Sequence, residues 1–160
     1  MAYLGVDVPA AAAQEAVPEG QRPVPNINDP LTAPFWAAAA RGQLTVRQCN
    51  NCKTFAHPPV FGVCVECQSD DFDFVPVSGK GRIYSYATIW DQRIPAFDKM
   101  IPFSVVSVEL DSVPGVFFET NLPETPIDEV EFDAPVDVFF EEIAPGVKLP
   151  QWRVIKEDEK

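Results

Sequence analysis

Catalytic equipment is scarce in this sequence. It has a single histidine, His57, and no G-x-S-x-G, Walker or dinucleotide fingerprint in its 160 residues, so the common nucleophile–base, phosphate-cradle and nicotinamide chemistries have no motif to work from. The adjacent acid pairs Asp70/Asp71 and Glu141/Glu142 point to opposite faces of an extended chain, which suits solvent better than paired acid–base work. Positive charge is short as well: 12 Lys and Arg face 24 Asp and Glu. Residues 1–103 carry 10 acids and 8 bases, whereas residues 104–160 carry 14 and 4. The second part repels phosphate backbones, so neither nucleic acid nor an anionic membrane is expected as the main partner. No run approaches the ~18–20 apolar residues of a membrane span. No Lys or Arg precedes Arg22, and the early apolar runs are broken by Asp7, Pro9 and Gln14; no secretory signal is expected, and the cytoplasm is the expected location.

What is present is a modest core and much punctuation. Apolar residues make up 46% of the chain, with twelve Phe, enough aromatic area to offset ordering entropy. Seventeen Pro exclude long helices, because each deletes a backbone donor and clashes with the preceding turn. Residues 1–28, rich in Ala and Pro, read as a flexible or extended arm, or alternatively as a segment whose Tyr3, Leu4, Val6 and Val8 dock on a partner. Residues 29–45, "DPLTAPFWAAAARGQLT", read as a short helix and link. Asp29 or Thr32 is the N-cap, four Ala propagate the helix and Gly42 stops it. Phe35 and Trp36 would anchor it on the body. Strand-like runs follow at 81–90, 103–110, 115–120, 135–142 and 151–155, rich in Val, Ile, Phe and Tyr with period-two stretches. The expected fold is therefore mainly β: an N-terminal helix, a metal ribbon and a five-stranded OB-type barrel with long, uneven connections, a sandwich being the alternative.

All four cysteines fall between residues 49 and 67, spaced C-x2-C, eleven residues, C-x2-C. Two-residue gaps let Cys49/Cys52 and Cys64/Cys67 each wrap one side of a tetrahedral ion, and the intervening loop is long enough to bring the pairs face to face. Disulfides lack an oxidising compartment, and a redox pair would occur once in a βαβ setting. Zn²⁺ is the expected ion, with iron the alternative for the same ligands. Four thiolates close the tetrahedron, so the ion should hold the fold and activate nothing. His57 is then surplus and reads as a loop or packing residue, with replacement of a cysteine ligand or an interface role left open. Lys53 reads as a solvated surface lysine, the alternative being a partial offset to the site's −2 charge.

The segments "PFWAAAARGQLTVRQCNNC", the "PP" before the second knuckle and "SGKGRIYSY", over roughly residues 31–156, resemble the acyl-CoA-associated family in which a rubredoxin-like zinc ribbon is fused to an OB-fold, domain of unknown function thirty-five. Lys53 stands where such knuckles commonly carry Gly, and "EFDAPVDVFF" stands where related chains often have a Gly-containing turn. The resemblance implies a non-catalytic subunit beside a thiolase-like catalytic subunit, two copies of each. Such enzymes make or break carbon–carbon bonds in acyl-CoA thioesters, steroid and aromatic side chains among them. Cys49, Cys52, Cys64 and Cys67 carry over as the metal ligands.

The chain accordingly divides, as an expectation, into an arm (1–28), a helix and link (29–45), a zinc ribbon (46–76) and an OB-fold (77–160). Four bases around the first barrel hairpin, Lys80, Arg82, Arg93 and Lys99, are candidates for CoA phosphates, the rival being ordinary solvated bases. Two other functions compete: a stand-alone acyl-CoA-binding module, and a single-stranded nucleic-acid binder stacking bases on Tyr84, Tyr86 and Trp90, which the acidic C-terminal part opposes.

Overall fold

A computed structural model describes residues 23–56, 62–91, 97 and 99–155. The expectations for residues 1–22 of the arm, for His57 and for Arg93 lie outside the described residues. Along the chain come α1 (Ala33–Ala40), β1 (Thr45–Cys49), β2 (Phe55–Ala56), β3 (Phe72–Pro76), β4 (Gly81–Ile89), β5 (Phe103–Leu110), β6 (Phe117–Asn121), β7 (Pro135–Ala144) and β8 (Val147–Val154), with one turn of 3-10 helix at Ile127–Glu129.

Helix α1 forms where proline in the first turn and an alanine run favour it, and the chain leaves it through Gly42 at φ 75°, a conformation that glycine adopts without strain. Neither cap candidate bonds a first-turn N–H of α1 with its side chain; Asp29 instead orders the turn just ahead of the helix. Its Oδ1 accepts the Leu31 N–H at 2.9 Å and its carbonyl accepts the Ala33 N–H at 2.7 Å, while Thr32 makes no side-chain cap bond. Phe35 is buried and stacks on Phe118 of β6, ring centroids 6.4 Å apart, so the helix is held to the barrel as its aromatic residues suggest.

The strands form two antiparallel sheets, β2-β1-β3 and β6-β5-β4-β7-β8. In the larger one the first strand is central and the third and fifth are the edges, an OB-like arrangement. Backbone pairing does not close it; instead the Thr120 hydroxyl of β6 donates to Gln151 Oε1 of β8 at 3.2 Å, and Gln151 Nε2 donates to Glu141 Oε2 at 3.1 Å. The core lies inside this curve. Val106, Val108 and Leu110 line the inner face of β5 and meet Ile83, Val136, Leu44, Val46 and Trp152. Burial of each such aliphatic side chain contributes roughly 1.5–3 kcal/mol.

The structure departs from the sequence expectation at the last two strands. They are longer and joined by a tight turn at Pro145–Gly146 with Gly146 at φ 75°, where a long connection was expected. Mixed apolar and acidic residues in β7 mask the alternation that would have marked its full length. A second detail explains the "SGKG" link. Gly79 has φ 78°, and a Cβ there would run into Val138; a Cβ on Gly81 would run into the Glu109 carbonyl. The Gly79 carbonyl in turn accepts the buried Trp152 Nε1–H at 2.8 Å.

Candidate metal centre

Strand β1 delivers the first ligand. Thr45, Arg47 and Cys49 share one face of it by strand alternation, and the chain then reverses through a tight knuckle. The Cys49 N–H donates to the Thr54 carbonyl at 2.9 Å and the Lys53 N–H to the Cys49 carbonyl at 2.9 Å. The second knuckle repeats both bonds: Cys64 N–H to Ser69 carbonyl at 2.8 Å, and Gln68 N–H to Cys64 carbonyl at 2.9 Å. The residue after the second cysteine of each pair has positive φ, 63° at Lys53 and 59° at Gln68. That is the left-handed region where glycine is unstrained, and it accounts for the glycine usual at this point of such knuckles. Asn50 joins the halves, its N–H donating to the Asp71 carbonyl at 3.0 Å and its Nδ2 to Asp71 Oδ1 at 2.9 Å.

The four Sγ atoms lie within 4.8 Å of one another, with Cys49–Cys67 at 3.6 Å and Cys52–Cys64 at 3.5 Å. A disulfide would need ~2.05 Å, and all four are free thiols. Sulfurs at ~2.3 Å from a central ion form a tetrahedron with edges of roughly 3.8 Å. The donor set and its spacing therefore fit a structural tetrathiolate metal.

Neighbouring donors favour the thiolate at Cys52 and Cys49. Cys52 is pushed down to about 6, first by the Thr54 hydroxyl 3.2 Å away and then by the Thr54 amide. The Cys52 amide is the main influence lowering Cys49, opposed by burial. At Cys64 the Cys67 and Glu66 amides pull downward, but burial and the neighbouring Cys52 and Cys49 thiols together leave it raised. Arg47, buried in β1, is the cation the sequence reading missed. Its guanidinium sits 3.4 Å from the centroid of the Phe72 ring and interacts electrostatically with Cys49 and Cys64, while burial lowers its pKa. Lys53, the residue singled out as a charge partner, is exposed at the knuckle tip. The missed signal was the two-residue step from Arg47 to Cys49, which puts both on one side of a strand.

Of the four bases proposed for CoA, the three within the described residues are spread along the β4–β5 hairpin. Lys80 and Arg82 flank the Gly81↔Leu110 end of the β4–β5 hairpin, while Lys99 lies four residues before Phe103, which pairs with Ile89 at the other end. Those ends are about 25 Å apart at the usual strand rise. Arg82 is engaged, its Nη1 donating to the Asp133 carbonyl at 3.0 Å and lying 3.3 Å from the Asp133 carboxylate. A separate cavity of about 540 Å³ lies between α1 and the barrel, walled by Phe35, Trp36, Phe118 and Trp152. Asp29, Thr32 and Glu119 also line it.

Two family models match the chain. Residues 36–73 match the ChsH2 rubredoxin-like zinc ribbon domain and residues 74–141 the ChsH2 C-terminal OB-fold domain. A curated protein of Thermomonospora curvata, named "Probable enoyl-CoA hydratase alpha subunit", is 36% identical over 140 residues. The match covers 87% of this chain but only 42% of that protein. Among solved structures, a chain of "Ltp2-ChsH2(DUF35) aldolase" is 33% identical with a TM-score of 0.69, covering 83% of this chain and 98% of that one. A DUF35-family protein of unknown function from Sulfolobus solfataricus, 14% identical with a TM-score of 0.54 over 81% of this chain and 89% of that one, shares the fold. With its paired knuckles, its OB-like sheet and these matches, the chain belongs to the ChsH2 (DUF35) family.

Proposed function

We propose that the chain is a non-catalytic, zinc-holding accessory subunit of a thiolase-fold enzyme that makes or breaks a carbon–carbon bond in an acyl-CoA thioester, assembled as two copies of each chain. The observation that carries this reading is the thiolate cluster: four sulfurs at tetrahedral spacing complete a coordination sphere without leaving a position for water or substrate. Zinc is the preferred ion because that role needs no electron transfer. Reactive groups are then expected on another polypeptide, which accords with the aldolase named for the 33% identical relative. The hydratase subunit name of the Thermomonospora protein favours a second reading, in which the partner adds water to an enoyl-CoA; acyl-CoA is the substrate class in both. Of the four candidate bases, Arg93 and Lys99 are the pair proposed for CoA phosphates.

The test is co-expression with candidate thiolase-fold polypeptides of the same genome. The expected result is a stable complex containing one zinc per copy of this chain, with acyl-CoA turnover by the complex and none by the purified chain. Turnover by the isolated chain overturns the reading. Arg93→Glu with Lys99→Glu should raise the complex's KM for acyl-CoA at least tenfold; an unchanged KM removes these bases from the site.

A further inference from the structure

We infer that the open stretch of β4, Tyr84–Ala87, receives an extended segment of the catalytic partner, which adds to the sheet as a strand and carries Lys or Arg toward the acidic turn at Asp128–Asp133; this rests on the accessory-subunit reading above. Pairing of β4 with β7 stops early. It comprises Gly81↔Val136 and Arg82↔Pro135, followed by the Ile83 N–H to the Ala134 carbonyl at 3.1 Å and the Asp133 N–H to the Ile83 carbonyl at 2.9 Å. Beyond Ile83, β5 is the one strand paired with β4 among the described residues. Among the described residues no strand lies beside the other edge of residues 84–89, whose alternate N–H and C=O groups form a template for another strand.

The side chains show the same lack of cover. A bulge between Ile83 and Ser85 shifts the register, so that Ser85 and Ala87 lie opposite Ser107 and Val105 while Tyr86 lies opposite Val106. A central strand of a barrel should bury alternate residues, yet Tyr84, Ser85, Tyr86 and Ala87 are exposed in succession. Both faces and one edge of this stretch meet water. The rings beside it are organised: Tyr84 is 62% exposed and packs edge-on against Phe117 at 4.8 Å, and Tyr86 meets the 66% exposed Phe132 at 4.9 Å. Such rings give an added strand pockets for its alternate apolar residues.

Charge selects the occupant. Between Gly115 and Val147 the sequence holds nine acids and no Lys or Arg; Asp128 and Glu131 are exposed near Phe132 in the chain, while Asp133 is already paired with Arg82. A polypeptide with a basic residue flanking its apolar positions is favoured there, whereas a polyanionic nucleic-acid strand is repelled.

Two double variants test this in the co-expressed complex: Tyr84→Ser with Phe132→Ser, and Asp128→Lys with Glu131→Lys. All four side chains are exposed, so the isolated chains should melt within about 2 °C of the parent. Each variant is expected to retain at least tenfold less thiolase-fold subunit, while Leu31→Ser, exposed at the helix start, retains it fully. In the parent complex the amides of residues 84–89 should exchange hydrogen at least tenfold more slowly than in the free chain. Full retention by both variants, or unchanged exchange in a complex that forms, overturns the inference and leaves the accessory role standing. A parent chain that captures no thiolase-fold subunit overturns the accessory role itself.

Discussion

At single residues, the metal site separates positions that resemble each other in sequence. Lys53 and Arg47 are both cations within a few residues of Cys49, but Lys53 is exposed to solvent and ions, which screen it. Arg47 is buried over the Phe72 ring and feels Cys49 and Cys64 directly. Arg47→Met is expected to weaken metal binding by about 10–100-fold, the range typical of groups supporting a metal's ligands, while Lys53→Met changes it less than about twofold. Competition with a chromophoric chelator measures both. Lys53→Gly tests the backbone instead. A side chain held at φ 63° stores about 1 kcal/mol, so the glycine variant should melt about 2–4 °C higher in a chain of this size. The ligands themselves were legible from spacing alone, because C-x2-C is a local geometry. Arg47 was not, since its relevance depends on β1 being a strand, and that short apolar-polar run carries little periodic signal.

At the level of elements, the helix and the barrel strands could be read because proline, alanine and alternating Val, Ile and Phe act locally. The three ribbon strands could not: β2 is two residues long, and its pairing with β1 is dictated by the knuckle more than by its own residues. The tight β7–β8 turn was hidden for a related reason. Acids at Asp137, Glu141 and Glu142 interrupt the hydrophobic pattern, although Glu141 is used by Gln151 near the barrel seam. The "SGKG" link, by contrast, was conspicuous in sequence, and packing supplies the cause. Gly79→Ala forces both a strained φ and a collision with Val138, and should lower stability by about 3 kcal/mol or more, read by chemical denaturation. Trp152→Phe removes the indole donor from the Gly79 carbonyl and should cost about 1–3 kcal/mol, with the barrel otherwise retained in circular dichroism.

For the whole molecule, the ribbon and the barrel differ in what holds them. The barrel's apolar core takes in Val46 of β1, with Phe55, Phe74 and Val75 of the ribbon packed against it, whereas the two knuckles beyond that sheet converge on the four sulfurs. Structural zinc contributes ~10–16 kcal/mol in small modules, more than most domains possess in total. Stripping the metal with a strong chelator under reducing conditions is expected to release protection of the knuckle amides, residues 49–54 and 64–71, first and leave β5 protected, as hydrogen exchange would show. Cys49→Ser and Cys64→Ser should each have the same effect permanently. The packing of α1 on the far end of the chain has a temporal consequence. Phe35 leaves the ribosome about 110 residues before Val147 opens β8, the strand bearing Trp152 against which Phe118 and the helix settle. At ordinary translation speeds this is a wait of roughly 5–20 s, during which an aromatic-rich helix has no final seat. The growing polypeptide should therefore engage a chaperone until its last strand emerges.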